Sequence, residues 1–280
     1  MGASEHLCRR ARPWLGTIVE IGVPHGHEDA IEAGFAAIAR IHGLMSFHED
    51  TSDLAAMRLA RPGQVIRLAP ETVTVLRIAA DLHTASGGLF NVAIGRQLVK
   101  TRFLPRMDRI HLSRFNGGPS DIEIIDDHHI RLHRCTLIDL GGIAKGYAVD
   151  CAVAALQAAG VGGGIVNAGG DLRAFGDKPM LVEVRMAFGG LSEPILIQNS
   201  AMASSENSHT RHSFRGQVAT PHIGPGNQSI VTGQTVSVVA NTCVMADAMT
   251  KVAMIDADLA DRLLAAHDGH VMRYVQSEAA

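Results

Sequence analysis

The segment with the clearest chemical potential is IDLGGIAKGYAVD, residues 138–150. An apolar run leads to Asp139, and the paired glycines Gly141 and Gly142 then let the backbone approach a ligand closely. A predicted helix follows, and its free N–H groups and positive dipole end would face that ligand. Lys145 lies in the first turn, where its charge opposes the dipole. This placement suggests an anionic partner such as a phosphate. An equally open interpretation is a structural junction with a solvated lysine.

Two further segments combine glycine turns with polar or aromatic residues. In IVNAGGD, residues 165–171, a predicted strand runs into paired glycines and Asp171. Such a sequence is also a common turn, but two glycine turns after buried segments would put two loops on one rim of a sheet. In SGGLFN, residues 86–91, a helix end leads into Phe90 and Asn91. Taken alone, this third segment favours a helix cap with Phe90 in the core.

The fourth segment, ADAMTK, covers residues 246–251. Asp247 and Thr250 are three residues apart on a predicted helix, so they share a face. A carboxylate and a hydroxyl, joined by carbonyls from a nearby glycine turn, suit a hard divalent ion. The alternative, that Asp247 caps the helix, stays open.

Apolar periodicity predicts the elements that would position these segments, because strands alternate every two residues and helices repeat every 3.6. The pattern predicts strands at 17–23, 136–140, 164–167, 235–240 and 270–275, a hairpin over 122–133, and three short strands within 180–203. Helices are predicted at 31–45, from Pro70 to a stop at Ser86, at 145–159, and from about Met245 with a break near 256–258. The polar residues 204–234 predict a long loop.

Strands outnumber helices and hairpins are mixed with crossovers, so the sequence predicts an α+β protein rather than a doubly wound sheet. No linker divides the chain, which predicts one domain over residues 1–280 with room for two closely packed lobes. With 46% hydrophobic and 19% charged residues, the chain is globular rather than disordered.

A net charge of −3 predicts no nucleic-acid partner. No apolar run approaches the ~20 residues of a membrane span. The polar start of the chain predicts no secretory signal, and therefore a cytoplasmic protein.

Taken together, seven segments in order resemble the FAD:protein FMN transferase family, the ApbE-like flavin transferases once called thiamine-biosynthesis lipoproteins. The resemblance runs from about residue 14 to about residue 255. The segments are LGT (15–17), MS (45–46), SDL (52–54), SGGLF (86–90), DLGGIAKG (139–146), NAGGD (167–171) and ADA (246–248).

The resemblance implies a T-fold-like α+β architecture of largely antiparallel or mixed sheets with packed helices. It implies a protein that binds FAD with Mg²⁺ at the diphosphate, cleaves FAD, and moves FMN onto a threonine or serine of an acceptor protein. Some members hydrolyse FAD to FMN and AMP instead. By matched position, the implied cofactor-binding residues are Leu15, Leu89, Phe90, Asn91, Asp139 and Lys145, and the implied metal ligands are Gly142, Asp247 and Thr250.

The chain departs from the family pattern at several of these positions. Asn91 stands where the family has an aspartate. The metal threonine of the family follows the aspartate by four residues, a place that Lys251 takes here, with Thr250 one residue earlier. Lys251 would repel a metal ion unless it swung towards a phosphate. FAD binding is therefore a firmer expectation than turnover.

Catalysis would need a base that accepts the proton of the acceptor hydroxyl. His222 is the candidate that the motifs place, and water as the acceptor would make the protein an FAD pyrophosphatase. Two alternatives stay open: an FAD-binding protein without catalysis, and an unrelated scaffold whose glycine turns are structural.

Overall fold

The structure is a computed structural model that describes residues 7–107 and 110–275. Within these residues, no helix combines the length and the apolarity that crossing a bilayer requires. The helices are α1 (Ile31–Met45), α2 (Asp53–Leu59), α3 (Pro70–Ala85), α4 (Gly95–Lys100), α5 (Ala144–Ala158), α6 (Cys243–Ala253) and α7 (Ala257–Leu264). The strands are β1 (Cys8–Trp14), β2 (Thr17–Val23), β3 (Val65–Arg67), β4 (Ile122–Ile124), β5 (His129–Leu132), β6 (Gly164–Ala168), β7 (Asp171–Phe175), β8 (Met180–Val182), β9 (Ile195–Ile197), β10 (Ala201–Ser205), β11 (His212–Phe214), β12 (Gln217–Ala219), β13 (Thr235–Ala240) and β14 (His270–Tyr274).

The main sheet orders its described strands as β1-β2-β6-β7-β10-β13-β14, and each neighbouring pair is antiparallel. Small sheets complete the fold: β3-β5-β4, β8-β9 and β11-β12. Helices and antiparallel sheets are thus combined, which confirms the predicted α+β class. The prediction of one domain over residues 1–280 stays a prediction.

The core lies between the main sheet and the helices α1, α5 and α6. Alternate residues of β2 are fully buried, namely Val19, Ile21 and Val23, as the period-two pattern predicted. One face of α1 carries the buried residues that meet this sheet and α5, among them Phe35 and Ile38. Helices α5 and α6, which carry Lys145 and Lys251, are therefore packed against a large apolar core.

The start of α6 is fixed by a carboxylate on α5. Asp150 accepts hydrogen bonds from the backbone N–H groups of Cys243 (3.0 Å) and Val244 (2.8 Å). These are free donors of the first turn of α6, so Asp150 caps this helix from a neighbouring element. This cap explains why α6 begins at Cys243, two residues before the predicted start.

Two predictions about secondary structure are wrong. Residues 136–140 belong to no sheet. The backbone N–H of Asp139 donates to the carbonyl of Val92 (2.9 Å), and that of Gly95 to Leu137 (3.0 Å), but the ladder stops because Gly95 begins α4. Residues 204–234 are not one long loop, because β11 and β12 pair within them.

Candidate functional site

A cavity of about 630 Å³ collects residues from all four of the predicted segments or from their immediate neighbours in the chain. Gly169 belongs to the second segment, and Lys251 ends the fourth. The predicted site residues that line the cavity are Leu89, Phe90, Asn91, Asp139, Gly142, Lys145 and His222. Asp247 and Thr250 are fully buried, and both contact the ammonium of Lys251, which lines the cavity.

The wall formed by residues 86–91 is also a helix cap. The Ser86 hydroxyl accepts a hydrogen bond from the backbone N–H of Phe90 (2.9 Å), and Phe90 is buried at 3% exposure. The amide oxygen of Asn91 accepts from the N–H of Ala93 (2.7 Å) and so keeps the next turn in place. Residues 86–91 therefore end a helix, as the sequence predicted, and three of them also line the cavity.

Both glycine turns line the cavity, one through Gly141 and Gly142 and the other through Gly169. The prediction that they share one rim of a sheet is wrong, because residues 136–140 belong to no sheet. Gly169 and Gly170 form the tight β6–β7 turn with φ angles of +67° and +104°, which favour glycine. In the other turn, the N–H of Gly141 donates to the Asp139 carboxylate (3.1 Å). Leu15 does not line the cavity, although its neighbour Thr17 packs directly on Gly169. Its contact with a cofactor stays a prediction.

Lys145 points to a carboxylate on the opposite glycine turn. Its ammonium donates a hydrogen bond to Asp171, whose side chain is 2% exposed, while that of Lys145 is 31% exposed. Burial lowers the pKa of Lys145, but the charges of Asp171 and Asp247 outweigh it and hold the pKa above its usual range. Lys145 is thus paired with an internal carboxylate, and the phosphate partner that the sequence suggested stays a prediction.

Lys251 lies among the oxygens that were predicted to hold Mg²⁺. Its Nζ is 3.0 Å from Asp247 Oδ1, 2.8 Å from Thr250 Oγ1 and 3.3 Å from the Asp247 carbonyl. Ser205 Oγ, at 2.8 Å, completes the set. A divalent ion does not fit this arrangement, because an ammonium already occupies the space between the ligands. The spacing of Asp247 and Lys251 already indicates this contact, since residues four apart on a helix meet.

Two ammonium groups contact two buried carboxylates: Lys145 contacts Asp171, and Lys251 contacts Asp247. Burial raises the pKa of Asp247, but the ammonium groups of Lys251 and Lys145 outweigh it and hold that pKa below its usual range. Burial raises the pKa of Asp171 more than Lys145 lowers it. Burial also raises the pKa of Asp139, on the cavity wall.

His222 also lines the cavity. Its Nδ1 is buried and has no hydrogen-bond partner among the described residues. Burial, followed by the charges of Lys251 and Lys145, lowers the pKa of His222 to about 3. The ring is therefore neutral at physiological pH and can offer Nδ1 to a ligand.

A second and larger cavity, of about 940 Å³, lies around α4 and the β11–β12 hairpin. It shares no lining residue with the first cavity, and none of the predicted site residues line it. Size alone would favour this cavity. The convergence of glycine turns, paired charges and an unpartnered histidine favours the smaller one.

Fold and cavity together define an α+β protein with a candidate small-molecule site. The two ammonium groups on this cavity, Lys145 and Lys251, suit an anionic ligand. The sequence profile of the ApbE family matches residues 15–274, and the chain belongs to this family.

Two curated relatives carry the name FAD:protein FMN transferase. The one from Rhodobacter capsulatus is 28% identical in an alignment of 229 residues that covers 75% of this chain and 43% of the relative. The one from Chlamydia muridarum (strain MoPn / Nigg) is 26% identical in an alignment of 211 residues that covers 71% of this chain and 66% of the relative. The matched segments thus cover less than two thirds of either relative.

Solved structures share the fold over nearly the whole chain. The ApbE protein of Thermotoga maritima superimposes with a TM-score of 0.83 at 22% identity, covering 98% of this chain and 96% of that one. The apo form of the Pseudomonas stutzeri flavinyl transferase ApbE gives 0.83 at 18% identity, covering 99% and 94%. At these identities the likeness establishes the fold.

Proposed function

We propose that the chain is an FAD:protein FMN transferase, which cleaves FAD and attaches FMN to a threonine or serine of an acceptor protein. The observation that carries the proposal is the position of the two ammonium groups, Lys145 and Lys251, on one cavity that the glycine turns border. The diphosphate of FAD is the part of the cofactor that these positive charges would attract. Lys145 would turn from Asp171 to a phosphate oxygen, whereas Lys251, whose three N–H donors are used within the protein, would act through its charge. The names of the two curated relatives support the same activity.

The proposed reaction is a displacement at phosphorus. The acceptor hydroxyl oxygen attacks the phosphorus on the riboflavin side, the P–O bond to the AMP half breaks, and AMP leaves with the bridging oxygen. Lys145 and Lys251 would offset the charge that develops on the phosphate oxygens, and the fixed turns would orient the diphosphate. Asn91 and Phe90 would line the remainder of the cofactor.

His222 is the proposed base for the hydroxyl proton. Its lowered pKa makes it a weak base in the ligand-free protein. The negative charges of a bound diphosphate would offset the two ammonium groups and so remove part of this lowering, whereas burial, the larger cause, would persist. Substrate binding would therefore make His222 a somewhat stronger base than it is in the free protein.

The dependence on Mg²⁺ that the resemblance implies stays a prediction. The Lys251 ammonium among Asp247, Thr250 and Ser205 argues against it. The cytoplasmic location also stays a prediction.

Incubation with FAD and candidate acceptor proteins tests the proposal. We expect AMP release together with an acceptor whose intact mass rises by one FMN. AMP and free FMN without an acceptor adduct would instead identify a pyrophosphatase. FAD binding without any AMP would identify a binding protein and contradict the transferase.

A further inference from the structure

We propose that the ammonium of Lys251 is the resident cation of this site, in the place where a divalent ion would otherwise lie. The chain would accordingly bind FAD without a metal ion. The first half concerns the free protein alone, and the second rests on the proposed function.

The hydrogen bonds of Lys251 use the full capacity of an ammonium. It has three N–H donors, and three oxygens lie within 3.0 Å: Ser205 Oγ, Thr250 Oγ1 and Asp247 Oδ1. The Thr250 hydroxyl donates its own proton to the Asp247 carbonyl (2.7 Å), which leaves a lone pair free to accept from Lys251. Carboxylate and hydroxyl oxygens are the ligands that a hard divalent ion would need, and here they are satisfied within the protein.

The stem of Lys251 packs against Gly142, the residue of the remaining predicted ligand. A methyl group built on Gly142 would lie 3.2 Å from Cε and 3.3 Å from Cγ of Lys251. The side chain therefore packs along the glycine turn whose carbonyl was predicted to bind the metal. With 21% of its surface exposed, the Lys251 side chain is largely enclosed by its neighbours, and it also lines the cavity.

The two carboxylates that contact the lysines are already paired with ammonium groups. Two further carboxylates line the cavity, Asp139 and Glu206, and they accept hydrogen bonds from Gly141 and Ser208 respectively. Asp171 is paired with Lys145, and Asp247 is the carboxylate that faces Lys251. Within residues 7–107 and 110–275, no group of three or more His, Cys, Asp or Glu side chains is placed to hold a metal. An ion seated on Asp247 would also lie beside an ammonium, where like charges repel.

Titration of the metal-free protein with Mn²⁺, followed by electron paramagnetic resonance, tests the first half. The parent is expected to bind no Mn²⁺ at millimolar concentration. Lys251→Thr, which removes the ammonium and adds a hydroxyl, is expected to gain one site. Lys251→Met is the matched control, since it keeps a similar stem without charge or oxygen, and it should bind more weakly than Lys251→Thr. A single Mn²⁺ site in the parent that Asp247→Asn abolishes would overturn the proposal, whether or not the Lys251 variants fold.

FAD titrations in EDTA and in excess Mg²⁺ test the second half. Parent affinity is expected to change by less than about twofold, whereas Lys251→Thr should gain about tenfold or more from Mg²⁺, the scale of a charged contact. Parent binding that is lost in EDTA would overturn the proposal. If the parent binds no FAD under either condition, the proposed function fails, and the Mn²⁺ result still decides the identity of the resident cation.

Discussion

Replacement of Gly146 by alanine is expected to lower the free energy of unfolding by about 1–3 kcal/mol or more, as overpacking of a tight contact does. An added Cβ would lie 2.2 Å from the carbonyl oxygen of Cys243 and 2.8 Å from Cβ of Asp247. Both are parts of α6 that cannot rotate away, so α5 and α6 would have to separate. Because α6 carries Asp247 and Lys251, the candidate site would be displaced as well.

Gly43→Ala provides the matched control in urea unfolding. Gly43 lies within α1, and an added Cβ would meet no atom within 4 Å. The same substitution there is expected to stabilise the protein by about 0.5–1 kcal/mol, because alanine is the better helix former. A Gly146→Ala protein as stable as the parent would contradict the close helix contact.

Lys145→Ala is expected to destabilise the free protein by about 3–5 kcal/mol, the usual cost of leaving a buried charge without its partner. The buried charge is the Asp171 carboxylate. Burial already raises the pKa of Asp171, so in the variant its folded pKa exceeds the unfolded value and folding takes up a proton. The deficit relative to the parent should therefore shrink as the pH falls. A solvated lysine would predict the opposite: a neutral or slightly stabilising change, since the charge opposes the helix dipole.

The double variant Lys145→Ala/Asp171→Asn separates stability from ligand binding. It leaves no unpaired charge, so unfolding experiments should recover part of the lost free energy. Its FAD affinity should stay about tenfold to a hundredfold below the parent, because a charged hydrogen bond to phosphate, worth about 1.5–3 kcal/mol, is still missing. Recovery of both properties would mean that Lys145 acts only through the stability of the fold.

The sequence predicted best those elements whose apolar pattern reports burial directly. The strand at 17–23 matches β2, and the helix at 31–45 matches α1, because one face of each meets the core. It missed β1, since five of its seven residues are exposed and the strand is held by backbone pairing at the sheet edge. It also missed β7, because a tight glycine turn hid a hairpin behind a single apparent strand.

The site was predictable in its parts but not in its pairings. Glycine turns and a lysine at a helix start can be recognised along the chain, and the fold brings them to one cavity. The contact of Lys145 with Asp171 joins residues 26 positions apart, on separate elements, so only the fold reveals it. Lys251 was recognised as a departure from the family pattern. Its contact with Ser205, which lies on β10, could not be inferred from the spacing within one helix.

The central claim is that this cavity binds FAD through its diphosphate. Calorimetric titration of the purified chain with FAD and with riboflavin, in the same buffer, tests it most directly. Two ammonium groups on the cavity predict that FAD binds at least about tenfold more tightly, the gain of one charged hydrogen bond or more, and that added salt reduces the difference. Equal affinities for FAD and riboflavin, or no binding of FAD, would contradict the account.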